Sequence, residues 1–235
     1  PKDLEGRVVG VPEYQMTMAL WVRGILQDEY GVDFRTFKYR TGGTNEAGRK
    51  ERLELDLPDQ IEIQPIRESD TLNALLLTGH LDAIISPMTP SSFTEKNPGI
   101  RRLFENPVAE ERSYFKRTGL FPIMHLIGIR RRLLEDHPNL AVSVFEAFVT
   151  SRRIAMNTLE KTATASANRL LLPWLGSEWE DTRQLMGKDY WPYGVNENTE
   201  DLDTFCRYSY EQYLSPRQLN SKELFASETL AIAGT

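Results

Sequence analysis

The sequence has a single cysteine and no long hydrophobic run. Because Cys206 is the only cysteine among 235 residues, no internal disulfide can form, and a disulfide-stapled secreted scaffold is not expected. We therefore expect a cytoplasmic protein. No stretch approaches the roughly 18 consecutive apolar residues of a membrane-spanning helix. The first residues also lack the basic and apolar regions of a signal peptide, so we expect no membrane partner.

An excess of positive charge is absent as well. Lys and Arg together number 28, against 34 Asp and Glu, which gives a net charge of -6 at pH 7. Proteins that bind nucleic acids normally concentrate a basic excess on one face, so we expect no nucleic-acid partner. Hydrophobic residues make up 40% and charged residues 26%, and this is the usage of an ordinary globular chain that can form a core.

Several common site motifs are missing. The phosphate-binding pattern GxxxxGK[ST] does not occur, and no serine lies in a GxSxG elbow. The histidines His80, His125 and His137 form no HxH or HExxH pattern, so the sequence predicts no zinc site of local spacing. We predict that the protein uses no cofactor. A divalent cation held by carboxylates from separate segments is left open.

Strand-like and helix-like segments alternate in the first half of the chain. Short apolar or alternating runs predict strands over 7–11, 34–39, 61–63 and 81–85. Apolar residues at helical spacing predict a helix that begins near Thr17 and ends near Gly31, and another over 71–78 that ends at Gly79. Strand, loop and helix in this order predict an α/β protein.

Helices dominate the second half. A strand-like apolar run covers 121–129, and helices are predicted over 131–137 and 139–161. This change of pattern favours two lobes with a hinge near residues 115–124. Ligands of open α/β sheets bind at the carboxyl ends of strands and in the crevice between lobes, so we take the loops that leave the strands as the candidate site.

The first candidate loop contains Glu13, Tyr14 and Gln15 and leads into a helix at Thr17. The unpaired amides and positive dipole at the start of a helix favour a carboxylate or phosphate. Gln15 and Thr17 add hydrogen-bonding groups, and Tyr14 offers a ring for stacking. The alternative is that Thr17 only caps the helix while Tyr14 packs in the core.

The second and third candidate loops follow the next strands. Thr41, Gly42 and Gly43 form a turn whose backbone can approach a ligand closely, although an ordinary turn is favoured on this pattern alone. Arg40, directly before the turn, is placed to clamp a carboxylate. Ser86 supplies a hydroxyl in the third loop.

His125 lies inside the apolar run over 121–129. A histidine in such a run is usually a core residue with its hydrogen bonds satisfied. The alternative is a catalytic acid or base, since the charge of histidine changes near neutral pH. The run itself does not decide between the two.

Six segments combine into a longer and more specific pattern. They are Gly10–Thr17, Trp21–Val32, Leu81–Pro87, Arg117–His125, Trp191–Val195 and Arg207–Gln212. Together they resemble the 4,5-dihydroxyphthalate decarboxylase family. The resemblance spans nearly all of this chain and covers the later part of the family pattern, so the family's N-terminal segment is expected to be lacking here.

The resemblance implies a fold and a division of the chain. The fold is a two-lobed α/β arrangement similar to type 2 periplasmic binding proteins, with the first lobe incomplete at its N-terminus. Residues 1–117 would form the second α/β lobe. Residues 118–235 would form the crossover and the C-terminal helical part of the first lobe.

The resemblance also implies a carboxy-lyase that removes CO2 from an aromatic dicarboxylate, 4,5-dihydroxyphthalate, to give protocatechuate. The reaction needs an acid to protonate the ring carbon and groups to hold the retained carboxylate. We assign the acid to His125, the carboxylate to Arg40 and the loop from Tyr14 to Thr17, and a catechol hydroxyl to Ser86. The partner is then a small aromatic carboxylate, and homo-oligomerisation is left open.

A second function from another class fits the same loops. A solute-binding protein that captures a small carboxylate for import needs the anion-holding groups but no proton donor, and a fold does not determine a function.

Overall fold

The structure is a computed structural model that describes residues 1–167 and 170–234. The chain divides into two compact units. Unit 1 contains Pro1–Pro107 and Phe205–Leu219, and unit 2 contains Val108–Thr204 and Asn220–Thr235. A late stretch of the chain, residues 205–219, therefore returns to unit 1. The lobes expected over 1–117 and 118–235 stay a prediction.

Unit 1 is built on a four-stranded sheet. The strands are β1 (Val8–Val11), β2 (Lys38–Thr41), β3 (Ile63–Pro65) and β4 (Ala83–Ile84). All pairings are parallel and the order is β3-β2-β1-β4, with Gly10 of β1 opposite both Arg40 and Ile84. The predicted α/β class is confirmed, and the carboxyl ends of the four strands meet at one edge.

Eight helices accompany the sheet in the described residues. They are α1 (Thr17–Tyr30), α2 (Leu72–Leu77), α3 (Ser91–Thr94), α4 (Pro107–Thr118), α5 (Arg131–Asp136), α6 (Leu140–Ala163), α7 (Leu175–Met186) and α8 (Thr199–Glu211). Short 3-10 turns cover Lys2–Leu4, Phe34–Thr36, Ser221–Leu224 and Ser227–Thr229. In residues 1–167 and 170–234, no helix has both the length and the apolar character needed to cross a membrane.

Helix α1 forms as its sequence predicts. Ala19, Leu20 and Leu26 are buried on its inner side, and the helix ends where Gly31 takes the left-handed conformation at φ +62°. The left-handed conformation costs glycine little energy because glycine has no Cβ, so Gly31 ends the helix without strain.

The core of unit 1 contains residues from both of its segments, Pro1–Pro107 and Phe205–Leu219. Val9, Val11, Phe34, Phe37 and Tyr39 are buried in one cluster. A second cluster packs Leu20 and Trp21 of α1 against Tyr208 of α8, with the rings of Trp21 and Tyr208 edge to face at 5.7 Å. Residues 205–219 are therefore part of this core.

Three predicted strands are wrong in whole or in part. The strand predicted over 61–63 shares only Ile63 with β3, which covers Ile63–Pro65. The strand predicted over 34–39 begins only at Lys38, because residues 34–36 form a 3-10 turn in which the Asp33 side chain accepts a hydrogen bond from the Arg35 amide. The run over 121–129 forms no strand at all. No strand of the described chain pairs with it, and Ile127 is 60% exposed.

Candidate functional site

Glu13 lies in the loop after β1 and is almost fully buried. Its Oε1 accepts hydrogen bonds from Nε and Nη2 of Arg49 at 2.9 and 2.6 Å. Nε of Arg52 lies 3.5 Å from the same oxygen. A buried carboxylate needs such partners, so Glu13 holds the segment 49–52 against the loop rather than facing solvent.

Glu51, in the segment 49–52, accepts hydrogen bonds from the loop after β1. Its Oε1 accepts the main-chain N–H of Tyr14 at 2.5 Å, and its Oε2 accepts Nε2 of Gln15 at 3.4 Å. Burial raises the pKa of the Glu51 carboxyl above its ordinary value, and the nearby charge of Glu13 raises it further, against the opposing hydrogen bond from Tyr14. A carboxylate of the chain itself therefore occupies donors that the sequence assigned to a ligand.

The ring of Tyr14 lies in the core. It is fully buried, meets the ring of Tyr39 edge to face at 5.1 Å, and has the guanidinium carbon of Arg23 4.0 Å from its centroid. Its hydroxyl donates to the carbonyl oxygen of Gln212 at 3.4 Å. Burial raises the pKa of the Tyr14 phenol. The structure thus shows the packed arrangement, and the Tyr14 group that faces Glu51 is its backbone amide.

Thr17 is the first residue of α1. Met16 takes the capping position, and no side chain makes a capping hydrogen bond there. The side chain of Thr17 is half-buried, and its hydroxyl makes no capping hydrogen bond.

Arg40 is half-buried on β2 and already has partners. Its Nη1 donates to the carbonyl oxygen of Tyr39 at 2.8 Å and its Nη2 to Oε1 of Glu62 at 3.1 Å. Its use as a carboxylate clamp stays a prediction, and it requires the guanidinium to share or exchange Glu62.

The turn at Thr41, Gly42 and Gly43 is tightly packed. The N–H of Gly42 donates to the carbonyl oxygen of Val11 at 3.3 Å. A Cβ on Gly43 would overlap the carbonyl oxygen of Glu46, so this position requires glycine for packing alone. Thr41 itself is buried at the end of β2.

Ser86 contacts Thr44, the residue that follows the turn at 41–43. Its Oγ lies 2.7 Å from Oγ1 of Thr44 and accepts the N–H of Met88 at 3.0 Å. Asn45 strengthens the junction, since its side chain donates to the carbonyl oxygen of Thr89 and accepts the N–H of Ser91. The second and third candidate loops are therefore brought together at the carboxyl edge of the sheet.

A groove of about 800 Å³ borders this edge within unit 1. Its lining includes Thr41, Gly43, Arg49, Glu51 and Arg67. Two of the predicted residues thus line the same groove as the carboxylate that binds the first loop.

His125 belongs to unit 2, whereas the other candidate residues belong to unit 1. It lies in the irregular stretch between α4 and α5, and its side chain is exposed. A buried core histidine is therefore not what the structure shows at this position. Its role as an acid stays a prediction.

Asp201 of unit 2 is a carboxyl group with a strongly altered pKa. Oδ1 of Asp201 accepts the N–H of Phe121 at 2.8 Å. Burial raises the pKa of Asp201 to about 6, and the charge of Glu200 adds to the increase. In the part of the chain that the structure describes, no group of three or more His, Cys, Asp and Glu side chains is placed to hold a metal ion. The absence of a cofactor stays a prediction.

Comparison with known proteins identifies the family. No protein-family model matches the chain. It is 37% identical over 230 residues to a 4,5-dihydroxyphthalate decarboxylase of Comamonas testosteroni, a match that covers 98% of this chain and 69% of that protein. The chain belongs to the 4,5-dihydroxyphthalate decarboxylase family.

A protein of the same name from Pseudomonas putida is 36% identical over 114 residues, which is 48% of this chain and 44% of that protein. The resemblance drawn from the six sequence segments is confirmed by both matches.

Sequence reasoning missed three residues of this 4,5-dihydroxyphthalate decarboxylase family member. Arg49 and Glu51 lie in a highly charged stretch, a pattern that indicates a solvent-exposed segment. Arg23 lies on a helix, where a single arginine gives no sign of burial. The charge pattern over 49–52, with a carboxylate between two arginines, is the one local feature that complements Glu13 and the amide of Tyr14.

Proposed function

We propose that this protein removes one carboxyl group from an aromatic dicarboxylate, converting 4,5-dihydroxyphthalate to protocatechuate without an oxidant. The observation that carries the proposal is the 37% identity over 98% of the chain to a protein named for this decarboxylation. The carboxyl edge of the parallel sheet, where ligands of such sheets bind, supports the location of the site in unit 1.

The chemistry is a replacement of CO2 by a proton on the ring. The bond between the ring carbon and the carboxylate breaks, its electron pair stays on the ring carbon, and a proton from an acid forms the new C–H bond. The catechol oxygen para to that carbon pushes electron density toward it and so favours its protonation. Removing water from the departing carboxylate favours neutral CO2.

We propose the same roles for the candidate residues as the sequence suggested. His125 supplies the proton, and Ser86 contacts a catechol hydroxyl. The retained carboxylate is held by the first loop through the Tyr14 amide and the side chains of Gln15 and Thr17, with Arg40 as a cation. Thr41, Gly42 and Gly43 form the neighbouring wall.

The proposal includes a fold and a setting. A parallel sheet in unit 1 and a division into two compact units support a two-lobed arrangement like that of type 2 periplasmic binding proteins. The single cysteine supports a cytoplasmic setting.

The test is to incubate the purified protein with 4,5-dihydroxyphthalate and to measure CO2 and protocatechuate together. Equal amounts of both products support the proposal. Binding seen as a rise in melting temperature without CO2 would instead indicate a solute-binding protein. Phthalate, which lacks both hydroxyls, serves as the control for the need for ring oxygens.

A further inference from the structure

The Glu51 carboxylate fills the place that the proposed function gives to a carboxylate of the substrate. One of its oxygens accepts the Tyr14 N–H and the other accepts the Gln15 side-chain amide. Two N–H donors that meet the two oxygens of one carboxylate form a recognisable carboxylate-binding arrangement. A carboxylate is therefore the group that these two donors bind in this structure.

A buried cation lies behind the same loop. Arg23 is fully buried, and its Nη2 donates to the carbonyl oxygen of Tyr14 at 2.7 Å. Its Nη1 is buried and has no hydrogen-bond partner among the described residues. The positive charge of Arg23 attracts the Glu51 carboxylate and so favours an anion at this position.

Glu51 is nevertheless a poor occupant. Its carboxylate is half-buried next to the negative charge of Glu13, and both the burial and that charge disfavour its ionised form. A ligand that carries its carboxylate on an apolar ring loses less by entering such a place, because the ring gains from leaving water.

The backbone around Glu51 is fixed independently of its carboxylate. Arg49 and Arg52 lie on either side of it in sequence, and both approach Oε1 of Glu13. If the whole segment left, Glu13 would keep a buried and uncompensated charge beside the incoming anion, which is costly. The Glu51 side chain can rotate away while the two arginines stay on Glu13.

We propose that the Glu51 carboxylate marks the subsite for the retained carboxylate of an aromatic dicarboxylate, and that the ligand binds by exchange with the Glu51 side chain while Arg49 and Arg52 keep the segment 49–52 in place. The proposal rests on the proposed function for the identity of the ligand. It rests on the contacts of Glu51 for the location.

The first measurement is the Kd of phthalate by titration calorimetry for the wild-type protein and for Glu51→Gln. A neutral amide competes less well for the two donors and removes a repulsive charge, so we expect phthalate to bind at least about fivefold more tightly to the variant. Glu46→Gln removes the same charge from an exposed position nearby and is expected to change the Kd by less than about twofold. An unchanged or weaker affinity in Glu51→Gln, or no phthalate binding by either protein, overturns the subsite.

Should Glu51→Gln not fold, Glu51→Asp gives the same test. Its carboxylate is one methylene shorter and cannot keep both donors, so tighter phthalate binding is again expected. The same affinity as the wild type would overturn the exchange.

Limited proteolysis by trypsin tests whether the segment stays in place. Cleavage after Arg49 and Arg52 should be no faster with saturating phthalate than without it. Faster cleavage would show that the whole segment leaves and would overturn the side-chain exchange.

The two proposals fail separately. CO2 release from 4,5-dihydroxyphthalate with no effect of Glu51→Gln on the Kd overturns the subsite and keeps the decarboxylase. Tighter phthalate binding by Glu51→Gln without any CO2 release keeps the carboxylate subsite and overturns the decarboxylase.

Discussion

Arg23 and Tyr14 contact each other twice in the interior of unit 1. The guanidinium carbon lies 4.0 Å from the centroid of the Tyr14 ring, and Nη2 donates to the Tyr14 carbonyl oxygen at 2.7 Å. Nε of Arg23 also donates to Oε1 of Gln212 at 2.7 Å, and Gln212 donates in turn to the carbonyl oxygen of Leu20. A buried cation therefore joins the loop after β1 to α1 and to the late stretch of chain.

Replacing this cation should destabilise unit 1. Arg23→Ala leaves the Tyr14 carbonyl and the Gln212 side chain without their donor and opens a cavity, so we expect the free energy of unfolding to fall by about 3 kcal/mol or more. Urea denaturation measures the change. Arg35→Ala removes an exposed arginine that is paired with Asp33 and should cost less than about 1 kcal/mol. Equal effects of the two variants would contradict the buried role.

Gly24 of α1 should resist substitution although it lies in a helix. Alanine is favoured over glycine by about 1 kcal/mol in helices, but a Cβ at Gly24 would overlap the buried ring of Tyr208. Because overpacking of a core typically costs 1–3 kcal/mol, we expect Gly24→Ala to lower the free energy of unfolding by about 2 kcal/mol. Gly128→Ala, where a Cβ meets nothing within 4 Å, should stay within about 0.5 kcal/mol of the wild type. A stabilised Gly24→Ala protein would contradict this packing.

His125→Gln tests the proton donor. If His125 protonates the ring carbon, the kcat for CO2 release from 4,5-dihydroxyphthalate should fall at least about 100-fold, because glutamine cannot transfer a proton. His137→Gln changes another exposed histidine and should leave kcat unchanged. Turnover by His125→Gln at the wild-type rate would remove this residue from the mechanism.

Asp201 should make the stability of unit 2 depend on pH. Its pKa of about 6 in the folded protein exceeds the value of roughly 3.9 in an unfolded chain. The folded state therefore holds the proton more tightly, so the stabilisation is fully present below about pH 3.9 and is lost as the pH rises through about 6. Asp201→Asn keeps an acceptor for the Phe121 amide and should flatten the profile over this range in urea denaturation.

Glu200→Gln is the matched variant for this profile. Removing the neighbouring negative charge lowers the pKa of Asp201, so the loss of stability should end at a lower pH than in the wild type. Parallel profiles for the wild type and Asp201→Asn would show that this carboxyl is not responsible.

Local patterns were sufficient to predict the centre of unit 1. The apolar run at Val8–Val11 and the helical spacing from Met18 to Ile25 depend only on neighbouring residues, and both elements form where they are expected. The run over 121–129 failed because an apolar segment becomes a strand only beside a partner strand, and no sequence period specifies that partner.

The charged residues near the first loop could not be placed in the same way. Arg23 is buried because Gln212, 189 residues further along, accepts its hydrogen bond. Glu51 is held by the main-chain N–H of Tyr14. Because nearly every residue has such an N–H, the sequence does not indicate which one binds a side chain. Charged side chains are normally solvated, so their burial follows from tertiary partners that only the folded chain supplies.

The return of residues 205–219 to unit 1 has a consequence for biosynthesis. While the ribosome is still translating unit 2, α1 has already emerged, yet Trp21 lacks Tyr208 and Arg23 lacks Gln212. The interior of unit 1 therefore stays incomplete in the nascent chain until residues 205–219 have been made. During translation, chaperones can bind the surface of α1 that Tyr208 and Gln212 later cover. A chain that terminates before these residues are made keeps this surface uncovered.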